Sequence, residues 1–373
     1  YETLYEKYES DPENIVKQYP ATLVWKEILK SQMETGTPYL CYKDAANRKS
    51  NQKNIGTIRS SNLCTEIMEY SDDKEYACCT LASISLPSFV EPFDISLIKS
   101  VKIYSKSDCK FCRYSKNLLN SYNIEYEETN LDDQTKRTEF FRELNTVCDG
   151  ETCRILDDKL QYKTVPQIYI NDVHIGGFNE LYQYFRPKFN FNKLADATRV
   201  VTNNLNKIVD INFYPVEETR ISNLKHRPLG IGVQGLADVY AMFRCPFDSQ
   251  LAKQLNKEIF ATIYYASCYK SMEISKERIE PLIKIKNSSY LDIIPEYYDN
   301  NLIIENNEIN TLYHEYRPLK SELLRDTHIG SYSSFINSPI SNGIFQFDLW
   351  NKEPIKKVTD LVLDWDTLRS NIK

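Results

Sequence analysis

Three residues that could carry radical or acid–base chemistry stand at every second position early in the chain. Asn62, Cys64 and Glu66 are each separated by one residue. Alternate side chains of an extended strand point to the same side, so this spacing predicts that all three face one cavity. On an α-helix the same spacing would scatter them around the axis. Taken alone, the pattern also fits surface polar residues around a buried and inert cysteine.

Further thiols follow on a strand-like segment, 76–86. Cys79 comes fifteen residues after Cys64, and Cys78 is adjacent and competes for the same assignment. Together these residue types suit the removal of a ribose hydroxyl. A thiyl radical can take hydrogen from carbon, and a carboxylate can accept the neighbouring hydroxyl proton. An amide can hold the sugar hydroxyls, and a second thiol can deliver reducing equivalents.

A separate dithiol motif, Cys109-Lys-Phe-Cys112, follows a predicted strand and opens a predicted helix. A helix N-terminus lowers the pKa of a thiol, Lys106 adds a nearby cation, and Cys112 can resolve a mixed disulfide. The rival interpretation is a zinc site that also uses Cys148 and Cys153. Cys148 and Cys153 have four intervening residues and lie in a predicted irregular loop, where they also fit incidental thiols.

Periodicity divides the chain into a small central unit and two flanking parts. The central pattern predicts the order β-α-β-α-β-β-α, with a hairpin turn at Asn171-Asp172, which is the order of a thioredoxin-like domain. The predicted elements are strands 99–105, 124–129, 165–170 and 173–175, and helices 109–122, 132–144 and one from 178. Helices are predicted in the flanks at 14–34, 194–209 and 250–275, and 278–329 is predicted to be an irregular surface insertion.

Composition narrows the classes of function. The 373 residues are 42% hydrophobic and carry a net charge of −6, which argues against nucleic-acid binding. No apolar run is long enough for a membrane span, and the first twenty residues lack a signal-peptide layout, so we expect a cytoplasmic protein. Ten cysteines in that compartment are expected to be reduced, catalytic or metal-binding and not to form a disulfide framework, and four histidines argue against a His-rich metal site. The Gly230-x-Gly-x-x-Gly235 pattern lacks the acidic residue of a dinucleotide site.

The flanking parts resemble the large subunit of class I ribonucleotide reductases over roughly 275 residues. The resemblance rests on 34–39, 43–44, 47–51, 61–67, 81–83, 194–196, 204–212, 214–215, 226–238, 338–339 and 348–351. It implies part of a ten-stranded α/β barrel formed by 1–93 and 186–373. By this resemblance Cys64 is the transient thiyl radical and Glu66 the base at the 3′-hydroxyl. Asn62 is then the hydrogen-bonding amide and Cys79 one of two thiols oxidised in each turnover.

The same resemblance implies partners and a substrate. The substrate is a nucleoside diphosphate, and a metal-containing small subunit supplies the radical, while no metal is expected in this chain. The other redox thiol and the allosteric regions are expected before Tyr1. The phosphate-binding loop, the radical-relay tyrosines and the reducing tail are expected after Lys373, so the remaining large-subunit segments are also partners.

The central unit, 94–185, resembles a dithiol glutaredoxin over about 99–185. Beside the two cysteines, the resemblance rests on Tyr104-Ser-Lys106, on Thr164-Val-Pro166 with a predicted cis proline, and on Gly176-Gly177 before the last helix. It implies that Cys109 is the nucleophile and that glutathione is the reductant. The implied glutathione site comprises Lys106, Thr164, Val165, Pro166, Gly177, Phe178 and Asn179. Two hypotheses result: a reductase segment with a fused glutaredoxin, or an active glutaredoxin on a reductase-like scaffold that binds another subunit.

Overall fold

The computed structural model describes residues 2–15, 17–78, 80–149, 152–156, 161–286 and 330–373. Helices α1 to α12 are Glu2–Glu9, Ala21–Thr35, Lys43–Lys49, Lys110–Ser121, Gln134–Leu144, Phe178–Tyr184, Phe191–Ile211, Glu217–His226, Leu236–Met242, Gln250–Lys286, Gln346–Leu349 and Trp365–Ile372. Strands β1 to β12 are Leu81–Ser85, Val90–Glu91, Val101–Ser105, Glu127–Asn130, Thr146–Asp149, Thr152–Ile155, Gln167–Ile170, Val173–Gly176, Lys188–Phe189, Gly230–Gln234, Lys357–Val358 and Leu361–Val362.

The central unit is built on a four-stranded sheet in the order β4-β3-β7-β8. Strand β3 pairs parallel with β4 and antiparallel with β7, and β7 pairs antiparallel with β8. Alternate residues of β3 are buried, as its apolar pattern predicts. Helices α4 and α6 cover the sheet and close a separate core. That core comprises Val101, Ile103, Leu118, Leu119, Ile124, Ile168, Ile170, Leu181 and Phe185.

Two hairpins distinguish this unit, one predicted and one not. Asn171 and Asp172 both have positive φ, as a tight turn between β7 and β8 requires, so the predicted hairpin is confirmed. The irregular loop predicted around Cys148 and Cys153 is wrong. Strands β5 and β6 pair antiparallel there and form an extra hairpin between α5 and β7.

A short strand pair marks the place where the central unit is inserted. Strand β2 pairs antiparallel with β9, with Val90 opposite Phe189 and Glu91 opposite Lys188. The rings of Phe89 and Phe189 lie 6.1 Å apart beside this pair. The chain therefore leaves the larger part and returns to it at one point, which we call the neck.

The larger core lies outside the central unit, between α7 and α10. These helices pack along each other, and Arg199 of α7 pairs with Glu273 of α10 at 2.9 Å. Strands β1 and β10 pair in parallel against this core. The fully buried Phe345 ring lies 5.2 Å from the Trp365 ring and 6.2 Å from that of Tyr264.

The predicted barrel is not seen. Strands β1 and β10 form a sheet of only two strands among the described residues, whereas a barrel needs every strand paired on both edges. The structure is a mixed α/β fold in which these two strands lie beside helices. The described residues supply too few strands to close a barrel.

The start predicted for the insertion at 278–329 is too early in the chain. Helix α10 continues to Lys286, so the irregular structure predicted from Arg278 is wrong for 278–286. The remainder of that prediction, 287–329, lies outside the described residues. Among the described residues, no helix combines the length and apolar character that a membrane crossing demands.

Phe345 tests the larger core. We expect Phe345→Ala to lower the free energy of unfolding by about 3–5 kcal/mol, because it removes a fully buried ring and leaves a cavity. Urea unfolding followed by tryptophan fluorescence measures this loss, since the buried Trp365 contacts the ring. The matched control is Phe213→Ala, whose ring is 86% exposed and should cost no more than about 0.5 kcal/mol. Equal losses in the two variants would contradict the packing described here.

Candidate functional site

The two cysteines of the dithiol motif meet at the start of α4. Cys109 is the N-cap residue, its Sγ accepts a hydrogen bond from the backbone N–H of Cys112 at 3.1 Å, and the two residues form a disulfide. Cys112 is fully buried, whereas Cys109 is partly exposed. The positive end of the helix therefore faces the sulfur of Cys109, which stabilises a thiolate there once the disulfide is reduced.

The loop before β7 lies against this sulfur. The Val165–Pro166 peptide is cis, as predicted, and the Sγ of Cys109 lies 3.6 Å from the carbonyl oxygen of Val165. A Cβ on Gly177 would lie 3.5 Å from the carbonyl oxygen of Pro166, so α6 begins close to the same loop. Gly176 has a φ of +118°, which only glycine adopts readily.

The remaining predicted glutathione residues lie at the ends of the same elements. Lys106 directly follows β3, Thr164 lies just before β7, and Asn179 is the second residue of α6. Thr164 and Asn179 are exposed, and Lys106 is partly buried. The structure thus brings these residues together at one end of the sheet's strands. Their contacts with glutathione remain predictions.

The sequence analysis missed an aromatic cluster beside the dithiol. The ring of Phe178 lies 6.1 Å from that of Phe111 and 5.7 Å from that of Tyr114, and Tyr182 lies 6.0 Å farther along α6. Phe111 and Tyr114 are exposed. Their spacing of three residues on one helix face was the available signal. These rings offer an apolar surface next to the partly exposed sulfur of Cys109.

A second missed feature fixes the loop between β3 and α4. Asp132 accepts hydrogen bonds from the side chain and the backbone N–H of Ser107, the latter at 2.9 Å, and from Asn130 at 2.9 Å. These bonds, with those of Ser107 foremost, hold the pKa of Asp132 at about 2. The carboxylate is therefore ionised at neutral pH and anchors the loop that leads to Cys109.

The reductase residues are arranged differently from the prediction. Residues 62–66 form a turn, because the N–H of Thr65 donates to the carbonyl oxygen of Asn62 at 3.2 Å and Thr65 has a φ of +68°. The extended strip is therefore wrong. Asn62 is partly buried and accepts a hydrogen bond from the N–H of Ile67, whereas Cys64 and Glu66 are exposed. The described residues do not enclose the pocket that the predicted chemistry requires.

The segment that follows is better fixed. Cys79 lies outside the described residues. On either side of it, Glu75 pairs with Lys225 at 2.9 Å, and the buried Thr80 accepts a hydrogen bond from Asn223 at 3.3 Å. The N–H of Gly230 donates to the carbonyl oxygen of Thr80 at 2.9 Å, at the start of the β1–β10 pairing. Helix α8 therefore binds both Glu75 and Thr80, the residues on either side of Cys78 and Cys79, and the start of β10 binds Thr80 as well.

A partly buried carboxyl group, that of Glu69, lies near Cys78. Burial raises the pKa of Glu69 to about 7. Burial also raises the pKa of the Cys78 thiol, and the charge of Glu69 raises it further. The sequence analysis did not link Glu69 with Cys78, since eight residues lie between them. In the part of the chain that the structure describes, no three His, Cys, Asp or Glu side chains are grouped to hold a metal ion.

Glu69 gives a pH-dependent stability that can be measured. Its pKa is about 7 in the folded chain and near its ordinary 4.5 when unfolded, so its contribution is complete below 4.5 and is lost as the pH rises through 7. Glu69→Gln should therefore unfold like the parent chain at about pH 4 and be more stable by up to about 3 kcal/mol at about pH 8. Urea unfolding at both pH values measures this, with the exposed Glu353→Gln as control. A Glu69→Gln chain less stable than its parent at about pH 8 would contradict the burial of this carboxyl group.

Comparisons with known families agree with the two-part organisation. Residues 1–130 and 171–373 match the family Ribonucleotide reductase, barrel domain, and residues 101–175 match Glutaredoxin. The matches overlap at 101–130 and 171–175. The buried apolar side chains of 101–130 pack largely in the core of the central unit, which favours the glutaredoxin assignment for that stretch.

The individual relatives are large subunits of ribonucleoside-diphosphate reductases. The chain is 35% identical over 375 residues to the ribonucleoside-diphosphate reductase large subunit of Arabidopsis thaliana, and 32% identical to large chain 2 of Saccharomyces cerevisiae. It is 33% identical to the large subunit of Variola virus. Each alignment covers all of this chain but only 30%, 26% and 29% of the relative, so the chain spans less than a third of their length.

Among solved structures, glutaredoxin 1 from Francisella tularensis, complexed with cacodylate, is 38% identical, with a TM-score of 0.19. That alignment covers 22% of this chain and 88% of the glutaredoxin. The chain belongs to the ribonucleotide reductase barrel-domain family, as a segment of the large subunit, and it carries an inserted glutaredoxin domain.

Proposed function

We propose that this chain is the part of a ribonucleoside-diphosphate reductase catalytic subunit that bears the radical cysteine, fused to a working glutaredoxin. The domains would be 1–93 and 186–373 for the reductase and 94–185 for the glutaredoxin. The observation that carries the proposal is the placement of Cys109 and Cys112 at the start of α4, against the Val165–Pro166 loop, inside a chain whose flanks match the reductase family.

Thiol–disulfide exchange follows from that placement. The Cys109 thiolate attacks one sulfur of a target disulfide, which releases the other sulfur as a thiol and leaves a mixed disulfide on Cys109. Cys112 or a glutathione thiol then attacks the Cys109 sulfur and frees the second target thiol. In the Cys112 route, two glutathione molecules then reduce the Cys109–Cys112 disulfide and leave as glutathione disulfide. In the glutathione route, a second glutathione releases glutathione disulfide from the Cys109 sulfur. The groove formed by 164–166 and 177–179 would bind the extended tripeptide.

The reductase chemistry assigns a step to each motif residue. A Cys64 thiyl radical would take the 3′ hydrogen of the ribonucleoside diphosphate, and Glu66 would accept the proton of the 3′-hydroxyl. Asn62 would hold the sugar hydroxyls, and Cys79 would supply electrons as one of two thiols. A small subunit that contains a metal would generate the radical. The remaining large-subunit segments would have to enclose the exposed Cys64, since a carbon-centred radical must be shielded from side reactions.

Fusion couples the two chemistries through distance. A tethered thiol meets its target at an effective concentration in the millimolar range, far above that of a free protein at low abundance. The glutaredoxin would therefore help to return the reductase thiols to their reduced state, with glutathione as the electron source. Thiols that cycle in this way need a reducing compartment, which supports the cytoplasm as the proposed location.

The alternative function is a glutaredoxin on a reductase-like scaffold that binds another subunit. The observation that favours it is the exposed turn at Cys64, which lacks the sealed pocket expected of a radical site. The intact set of Asn62, Cys64 and Glu66 favours the first proposal, because a scaffold has no need of these residue types.

The glutaredoxin assignment predicts different outcomes for its two cysteines. Cys109→Ser should reduce the turnover of a glutathionylated peptide to the uncatalysed background, because it removes the nucleophile. Cys112→Ser should keep that activity but lose the reduction of a protein disulfide by the dithiol route, because no resolving thiol remains. Coupled glutathione-reductase assays measure both, with Cys41→Ser as an exposed-thiol control. Activity in Cys109→Ser would contradict the assignment.

The reductase assignment requires the full assembly. With the small subunit and the remaining large-subunit segments present, Glu66→Gln should lower deoxynucleotide formation by about 10²–10⁴-fold, the usual value of a general base. Cys64→Ser should abolish it, and Glu353→Gln should leave it unchanged. Product formation that is equal in parent and Cys64→Ser assemblies would support the scaffold alternative. If a Cys109→Ser assembly forms deoxynucleotides at the parent rate with glutathione as the sole reductant, the glutaredoxin does not take part in the reductase cycle.

A further inference from the structure

The β5–β6 hairpin carries a pair of cysteines for which the proposed function has no use. It is inserted between α5 and β7, outside the four-stranded sheet. Cys148 is exposed on β5 and is disulfide-bonded. Its bond is separate from the Cys109–Cys112 disulfide. The question is which cysteine it meets.

The strand register answers it. Cys148 lies directly opposite Cys153 in the antiparallel pairing. The Cα atoms of opposed residues in such a pair lie about 4.5–5.5 Å apart, which is within the range that a disulfide spans. Cys41, Cys64, Cys78, Cys245 and Cys268 are free. Cys153 is therefore the partner that the backbone offers to Cys148.

We propose that Cys148 and Cys153 form a second redox couple, a cross-strand disulfide that glutathione opens and glutathione disulfide closes, and that positions the loop beside Cys109. A glutathione thiolate would attack the exposed Cys148 sulfur, break the bond to Cys153 and form a mixed disulfide. A second glutathione would release glutathione disulfide. The protein gains two electrons and two protons, and two glutathione thiols are oxidised.

The exposure of Cys148 and the short strands of the hairpin make this disulfide responsive to small thiols. An exposed disulfide exchanges more readily with small thiols than a buried one. Strands β5 and β6 have four residues each and pair only with one another among the described strands. An isolated two-stranded hairpin is marginally stable in water, so a crosslink between the strands decides how firmly it holds its shape.

Hydrogen bonds connect the base of the hairpin to the next segment. The buried Asn145 accepts from the N–H of Tyr162 at 2.7 Å and donates to its carbonyl oxygen at 2.8 Å. The N–H of Leu156, just after β6, donates to the carbonyl oxygen of Asn145 at 2.8 Å. Both ends of the hairpin thus meet at Asn145, which is bonded to the backbone of Tyr162.

The connection continues to the glutathione loop. The ring of Tyr162 lies 4.7 Å from that of His174, whose Nε2 is 2.7 Å from the Oε1 of Gln167. Gln167 donates to the carbonyl oxygen of Thr164 at 2.7 Å. Val165, next along the chain, contacts the Cys109 sulfur. A change at the hairpin therefore reaches the groove through packed and hydrogen-bonded neighbours.

The couple itself is tested without glutaredoxin activity. The full chain carrying Cys109→Ser and Cys112→Ser is equilibrated in buffers of graded glutathione to glutathione disulfide ratio, alkylated and mapped by mass spectrometry. As the buffer becomes more oxidising, we expect Cys148 and Cys153 to become protected from alkylation together, in a single two-electron transition. The peptide mass should fall by two hydrogens. Cys41 serves as the internal control and stays alkylated or carries one glutathione.

Three outcomes would overturn the couple. They are alkylation of Cys148 at every ratio, a bond from Cys148 to a cysteine other than Cys153, and protection that chelation by EDTA removes without any change of mass. The last outcome would indicate a bound metal ion instead of a disulfide.

The link to the groove rests on the proposed glutaredoxin function and is tested separately. With Cys109 and Cys112 intact, Cys148→Ser/Cys153→Ser should raise the KM for a glutathionylated peptide by about fivefold, the lower range of energetic coupling between sites, with kcat unchanged. The control Cys41→Ser/Cys245→Ser removes two free thiols elsewhere and should leave KM unchanged. An unaltered KM in the hairpin variant would overturn the link. Inactivity of the parent chain would instead refute the glutaredoxin function and leave the couple standing.

Discussion

The pairing of β2 with β9 is the constraint on which this molecule depends. A domain can be inserted into another fold only if its two ends lie close enough for the host to continue undisturbed. Val90 opposite Phe189 meets that condition, because paired strands are only about 5 Å apart. The Phe89–Phe189 contact joins the neck to the larger core, while the glutaredoxin closes its own core beyond it. Each part can therefore keep the packing that its own sequence pattern specifies.

The two candidate sites differ in how completely this chain builds them. The dithiol site draws on the start of α4, the loop before β7 and the start of α6, and all three belong to one closed core. The reductase motif lies in a turn whose cysteine is exposed. The chain spans less than a third of the length of the relatives that it matches, and the described residues leave this turn uncovered. Large exposed side chains on α2, such as Trp25 and Met33, are consistent with the same shortage of partners.

Sequence reasoning succeeded where local physics decides the conformation. The β-α-β core of the inserted unit and the turn at Asn171–Asp172 follow from periodicity and residue chemistry close in sequence, and the cis proline at 166 follows from the resemblance to glutaredoxins. It failed where distant residues decide. The turn at 62–66, the extension of α10 to Lys286 and the pairing of β1 and β10 with no further strand among the described residues depend on packing that alternation alone does not report. The β5–β6 hairpin was missed because its short strands carry little apolar alternation and lie around a polar stretch.

The two proposed chemistries make opposite demands on solvent, and the architecture separates them. Thiol–disulfide exchange needs a partly exposed thiolate that other proteins and glutathione can reach, and Cys109 has that exposure, with Cys112 buried behind it. Radical chemistry on a sugar needs a dry and enclosed cavity. One surface cannot provide both, whereas a module attached through a two-residue strand pair can present an open thiol outside while the host encloses its own. The neck therefore allows a single polypeptide to hold an exposed exchange site close to a site that must be closed.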